Sequence, residues 1–290
     1  MSLISYIPSP GSGSIHIGPL QLRAYGLMIA IGAIVAVRIL GRRLVRQGLG
    51  GADEANSVAL WAVPAGVIGS RLYHVATDWE RFSNHLLDIP KIWQGGLGIP
   101  GGILGGTVVA IWQARRLGIG VHPLLWGAAP AVPIAQSIGR WGNWWNQELY
   151  GRPTTLPWGL RIDADKVLAG GFPEGTLFHP TFLYEALWNL MLAALLVVVG
   201  RRLITWQSAR PARLFAVYVA GYGVGRFWVE GLRIDPAKSG GGLRLNQWTA
   251  IVLIVLGVGY LLYTWLRPSE AAAAVVNEED VVSEEENDER

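Results

Sequence analysis

Seven long apolar blocks constrain this chain more than any other feature. They are Leu22–Leu40, Ser57–Val75, Gly95–Ala114, Val121–Ile138, Phe178–Gly200, Leu214–Gly231 and Leu245–Leu266. A helix rises about 1.5 Å per residue, so each block holds close to the ~20 residues that cross a bilayer's hydrocarbon core. Only 16% of the residues are charged, against roughly a quarter in a soluble domain. The expected fold class is therefore all-α, a polytopic membrane protein with about seven transmembrane helices. Blocks three and four are the candidates to be broken or re-entrant: the third is rich in Gly, and Pro123, Pro130 and Pro133 interrupt the fourth.

Charge sets an expected orientation, because Lys and Arg collect in short cytoplasmic loops. Arg38, Arg42, Arg43 and Arg46 follow block one, and Arg115 and Arg116 follow block three. Arg201, Arg202, Arg210 and Arg213 follow block five, and Arg267 follows block seven. If every block spans, all of these lie on one side, which puts the N-terminus outside and the C-terminus in the cytoplasm. The expected organisation is a membrane catalytic domain over 1–267, with an outer-face loop or head region over 139–178. A tail over 268–290 holds nine acidic residues and no aromatic ones, which predicts a disordered acidic cytoplasmic segment. No cleavable signal peptide is expected, since Met1 to Leu20 has no basic n-region.

Without the tail the chain carries 23 basic and 12 acidic residues, but the basic ones flank apolar blocks instead of forming one patch. Nucleic acid is thus not an expected partner. There is no cysteine, so any thiol chemistry must use a thiol brought by a substrate. The five histidines have no zincin-type spacing, and no metal or other cofactor is expected.

Ionisable groups inside spans are costly and mark functional sites. With the orientation above, Tyr25, Arg71, His74, Gln136, Arg140, His179, Tyr184, Glu185, Tyr222, Arg226 and Glu230 all fall in the outer layer, from five blocks. A structural alternative is a set of ion pairs between helices, Arg226 with Glu185 for instance. The layer's arginines suit a ligand phosphate, whose oxygens match a planar guanidinium fork. Gly95, Gly96, Gly98, Gly101, Gly102, Gly105 and Gly106 crowd block three, which fits close helix packing, backbone approach to a ligand, or both.

The most specific stretch runs from Ile138 to Gly151. Gly139, Arg140, Asn143, Asn146, Glu148 and Gly151 resemble the motif of the bacterial phosphatidylglycerol–prolipoprotein diacylglyceryl transferase family. Tyr25-Gly26, His179-Pro180-Thr181 with Leu183-Tyr184-Glu185, and Tyr222-Gly223 through Arg226, Glu230 and Arg233 resemble further elements of that family, in order, from about Leu20 to Leu266. Some members carry a His beside the Gly-Gly of the third block that has been put forward as a base; here Pro100 stands there.

The resemblance implies transfer of the diacylglyceryl group of phosphatidylglycerol to the lipobox Cys thiol of a prolipoprotein in the bacterial inner membrane, with glycerol phosphate leaving. The catalytic candidates are then Arg140, Arg226, Glu148, Glu230 and His179. The two arginines would stabilise the leaving phosphate, and the other three are the candidate bases. Arg140, Arg226, Tyr25, Asn143, Asn146, Arg71, Tyr222 and Gly151 are expected at the phosphatidylglycerol headgroup. A phospholipid transporter or scramblase with an outward headgroup site is the alternative. It would want polar groups at both depths and often an internal repeat, and the sequence has neither. An intramembrane hydrolase using Ser137 or Thr181 with His179 lacks a nucleophile elbow. A structural scaffold would have no use for the arginine–glutamate layer.

Overall fold

The computed structural model describes residues 6–267 apart from 12, 18–19, 84, 93–94, 206 and 238, and the acidic tail lies outside the described residues. Among the described residues ten α-helices dominate. In chain order they are α1 (Ala24–Gln47), α2 (Ala52–Thr77), α3 (Trp79–Phe82), α4 (Ile99–Arg116), α5 (Val121–Ala128), α6 (Ala131–Asn146), α7 (Ala164–Ala169), α8 (Thr181–Arg202), α9 (Arg213–Leu232) and α10 (Leu245–Leu266). Six short strands complete them: β1 (Ile7–Pro8), β2 (Ser14–Ile17), β3 (Leu20–Arg23), β4 (Leu160–Arg161), β5 (Ser239–Gly240) and β6 (Leu243–Arg244).

Among the described residues three helices, α1, α8 and α10, are long and apolar enough to cross a membrane, each with a mean hydropathy of 2.0. Only 22%, 39% and 17% of their apolar windows is buried inside the protein. Ile29 and Ile34 on α1, Leu187, Met191 and Val198 on α8, and Val255, Leu256 and Leu262 on α10 are all exposed. Water would not tolerate so much continuous apolar surface; lipid does. The chain is a membrane protein, mostly helical. The fourth apolar block is broken, as its prolines foretell: α5 ends at Ala128, and Pro130 precedes the first residue of α6.

The chain forms two compact units, Met1–Ala36 with Ala128–Arg290, and Val37–Gly127. In the smaller unit α2 packs on α4 through small residues. A Cβ on Gly69 would stand 2.3 Å from the Gly101 carbonyl oxygen, and one on Gly105 would stand 2.7 Å from that of Ala65. Glycine lets the two backbones touch where lipid offers no hydrophobic drive. Leu40, Leu44, Ala55, Val58, Ala114, Ile119 and Leu124 form the core there. The Arg43 guanidinium lies 3.5 Å from the centre of the Trp126 ring.

In the larger unit α6 packs on α8, α8 on α9, and α9 on α10. Gly223 and Gly257 bring α9 and α10 together, since a Cβ on either would meet backbone of the other helix within 3 Å. The segment between α6 and α8 has a core of its own. Leu160, Ile162, Val167, Phe178 and Phe182 are buried against Ile7, Trp144, Tyr150 and Phe172. Burial there pushes the Tyr150 phenol up from its ordinary value. Strand β1 pairs in parallel with β4, and Trp144 Nε1 donates to the Pro8 carbonyl at 3.0 Å, so the N-terminal strand covers this segment.

Candidate active site

The site is built where α6, α8 and α9 meet. Glu185, one turn into α8 and buried, is its centre. Arg140 Nε on α6 donates to Glu185 Oε2 at 2.6 Å, and Arg226 Nη1 on α9 donates to Glu185 Oε1 at 2.9 Å. One carboxylate thus holds two guanidinia side by side. The pairing of Arg226 with Glu185 is the one offered above as the structural alternative, and it exists together with the Arg140 contact.

Arg140 has further neighbours. Its Nη1 donates to Asn143 Oδ1 at 3.3 Å, and the Tyr222 and Tyr25 hydroxyls lie beside it, that of Tyr222 within hydrogen-bonding reach. Tyr25 lies over Gly142, where a Cβ would come within 2.6 Å of its ring. Tyr25 is 38% exposed. The two Asn of the motif converge on Glu148: Asn143 Nδ2 and Asn146 Nδ2 donate to Oε1 at 2.8 and 3.2 Å.

The chain turns sharply to make this possible. Gln147, at the C-terminus of α6, and Leu149 both adopt left-handed backbone, with φ of 51° and 60°. Such conformations in non-glycine residues cost about 1–3 kcal/mol and persist where surroundings enforce them. Gln147 is pinned: its Nε2 donates to the Pro10 carbonyl at 2.8 Å, and its Oε1 accepts from Asp163 N–H at 2.7 Å. Glu148 stands between the two strained residues.

Glu230, on the last turn of α9, is fully buried and receives four donors. Its Oε2 accepts from Arg226 Nη2 at 2.8 Å and Arg233 Nη1 at 3.2 Å. Its Oε1 accepts from Arg244 Nε at 2.7 Å and Asn246 Nδ2 at 3.2 Å. Three guanidinia and one amide thus occupy both of its oxygens. Arg244, Asn246 and Asp235 are absent from the sequence-based site. One signal pointed to them: Arg233 and Arg244 flank a short loop on the side that charge counting makes the arginine-poor one.

The remaining candidates are placed as follows. His179 Nδ1 is 3.1 Å from Tyr184 Oη, which also accepts from Trp158 Nε1 at 3.1 Å. Among the described residues no hydrogen bond or ion pair joins His179 to the arginine cluster. Gly151 is a crossing point: its N–H donates to the His179 carbonyl at 2.9 Å, it bridges to Arg233, and a Cβ there would come within 2.8 Å of His179 Cβ. Arg71 lies in the smaller unit, where its guanidinium donates to the carbonyls of Asp88, Ile89, Gly95 and Gly96 at 2.6–3.1 Å. Its donors tie Asp88 and Ile89 to Gly95 and Gly96. The Lys91 ammonium, 2.6 Å from Asp88, keeps the Asp88 carboxyl below its ordinary range. Pro100 is exposed in the first turn of α4, where its missing N–H costs nothing. No group of three or more His, Cys, Asp or Glu that could hold a metal occurs among the described residues.

These features define a class: a helical membrane protein that keeps an ion-paired arginine cluster between its helices, beside a strained polar turn. The chain belongs to the prolipoprotein diacylglyceryl transferase family, whose model it matches over residues 13–263. It is 50% identical over 263 residues to the phosphatidylglycerol–prolipoprotein diacylglyceryl transferase of Frankia alni, covering 88% of this chain and 67% of that protein. The protein of the same name from Frankia casuarinae is 48% identical over 254 residues, covering 87% of this chain and 60% of its own length. That from Streptomyces griseus is 47% identical over 262 residues, covering 89% and 78%. The chain thus spans about two thirds or less of the two Frankia relatives.

Proposed function

We infer that this chain transfers the diacylglyceryl group of phosphatidylglycerol to the lipobox cysteine of a prolipoprotein. The thiolate sulfur attacks the glyceryl carbon, the carbon–oxygen bond to phosphate breaks, a thioether forms, and glycerol phosphate leaves. The thiol proton passes to a base. The relatives are transferases by name, so the transporter alternative falls away.

One observation carries the mechanistic reading: Glu185 fixes Arg140 and Arg226 on a single carboxylate. Two guanidinia held side by side are preorganised for charge that develops on the leaving phosphate. The same field lowers the pKa of an incoming thiol, about 8.5 when free. Tyr25, Tyr222 and Asn143 border Arg140 and would orient the headgroup. Of the candidate bases, Glu148 is favoured. Its ligands are neutral amides, whereas three guanidinia surround Glu230 and His179 is joined to Tyr184.

The same reading gives a membrane domain over 1–267 with seven spans, the 139–178 head on the outer face, the N-terminus outside and the C-terminus cytoplasmic. The helices that replace the seven blocks and the arginine-rich connections support it. Mass spectrometry of a lipobox peptide incubated with purified protein and phosphatidylglycerol is the test. Wild type should add one diacylglyceryl group in thioether linkage, and Arg140→Ala and Arg226→Ala should abolish that product while remaining folded. Near-full transfer by both variants would remove the phosphate clamp.

A further inference from the structure

We propose that Arg244 is a positioning residue of the site, supplying the positive charge that leaves the cluster able to accept a lipid phosphate. The inference rests on the function proposed above. Arg226 and Arg233 reach Glu230 from four residues before it and three after it, as helix geometry allows. Arg244 reaches it from the far side of the β5–β6 hairpin.

Three nitrogens of its guanidinium are used. Nε donates to Glu230 Oε1 at 2.7 Å, Nη2 to Asp235 Oδ2 at 3.0 Å, and Nη1 to the Arg233 carbonyl at 3.0 Å. The side chain clips the end of α9, the turn after it and the start of α10 together. Its place in the chain adds to the argument. Arg244 is the N-cap of α10, a position usually held by Ser, Thr, Asp or Asn because their short side chains accept a backbone N–H. A guanidinium has no acceptor and cannot do this. Gln247 compensates in part, its Oε1 accepting from the Arg244 N–H at 3.0 Å. Local helix chemistry therefore gives no reason for an arginine here, and Glu230 and Asp235 do.

Charge shows what the arginine adds. The ion-paired cluster holds four guanidinia, of Arg140, Arg226, Arg233 and Arg244, and three carboxylates, of Glu185, Glu230 and Asp235. It has one surplus positive charge, and without Arg244 it has none. Among the described residues Glu148 is joined to it only through the Asn143 amide. A phosphodiester brings one negative charge, and a second develops as it becomes the monoester that leaves. A cluster stripped of its surplus is thus weakened most in the transition state.

The test compares Arg244→Gln, Arg244→Lys and the double variant Arg244→Gln with Asp235→Asn. Each is purified in the full chain and assayed for thioether product over a range of phosphatidylglycerol. Arg244→Gln should lower kcat about tenfold with KM changed less, a smaller loss than the ~10²–10³ of removing a donor that touches the developing charge. Arg244→Lys should recover most of the rate. So should the double variant, because removing the Asp235 charge restores the surplus. A purely structural clip would give the opposite order, with the double variant worst and its thermal unfolding lowest. That order, or full activity in Arg244→Gln, would overturn the inference. If Arg244→Gln did not fold, the lysine variant alone would decide, since loss of transfer in a folded Arg244→Lys also overturns it. If wild type itself made no thioether product, the functional reading and this inference would fall together; active wild type with an insensitive Arg244→Gln sinks only the latter.

Discussion

Replacing Glu185 with Gln tests the bridge at the centre of the site. The carboxylate accepts from Arg140 Nε at 2.6 Å and Arg226 Nη1 at 2.9 Å, and only 7% of its side chain is exposed. An amide keeps one acceptor oxygen and turns an NH2 donor toward the other guanidinium. Removing one partner of a buried pair costs about 3–5 kcal/mol, because the remaining charge stays desolvated. The side chains of Arg140 and Arg226 keep 21% and 14% exposure and can recover some solvation, so the lower end, about 3 kcal/mol, applies. If about 2.7 kcal/mol of this appears as lost organisation of the two arginines, transfer falls roughly 100-fold. The assay is the initial rate of thioether formation on a lipobox peptide, alongside thermal unfolding in detergent. Glu185→Asp, which keeps the charge on a shorter stem, should fall between wild type and Gln. Transfer within twofold of wild type in Glu185→Gln, at an unchanged unfolding temperature, would refute the idea that this carboxylate sets the spacing of the arginines.

Two further predictions concern the smaller unit. Gly69→Ala should lower thermal stability by about 1–3 kcal/mol, because its Cβ would stand 2.3 Å from the Gly101 carbonyl and force α2 and α4 apart. Gly259→Ala on α10, which has open space around it, is the control, and equal effects would discount the close-packing argument. Pro100→His should leave the transfer rate nearly unchanged, since the phosphate clamp and Glu148 are assigned the chemistry; a large gain would mean that a base is missing from this chain.

Much of the architecture was legible in the residue pattern. Block seven and α10 share the same bounds, Leu245–Leu266, and block five differs from α8 by three residues at its start and two at its end. Long apolar runs must satisfy their own backbone in lipid, and the helix does so locally. Helix α1 outruns its apolar block for a related reason. The helix continues past Leu40 through Arg42, Arg43 and Arg46 to Gln47, and Gly48 with φ of 68° follows it. Charge marks where lipid gives way to water, while a left-handed glycine marks where helix gives way to loop.

The site divides in the same manner. The motif placed Arg140, Asn143, Asn146 and Glu148 within the last two turns of α6 and its exit, because they are neighbours along the chain and their geometry follows from helix pitch and a tight turn. That Arg71 spends its donors on loop carbonyls, that Glu185 holds two arginines, and that Arg244 closes on Glu230 and Asp235 were not legible. Each depends on which elements cross and at what height. A guanidinium chooses its partner by proximity in space, and only the packing of helices and hairpin sets that proximity.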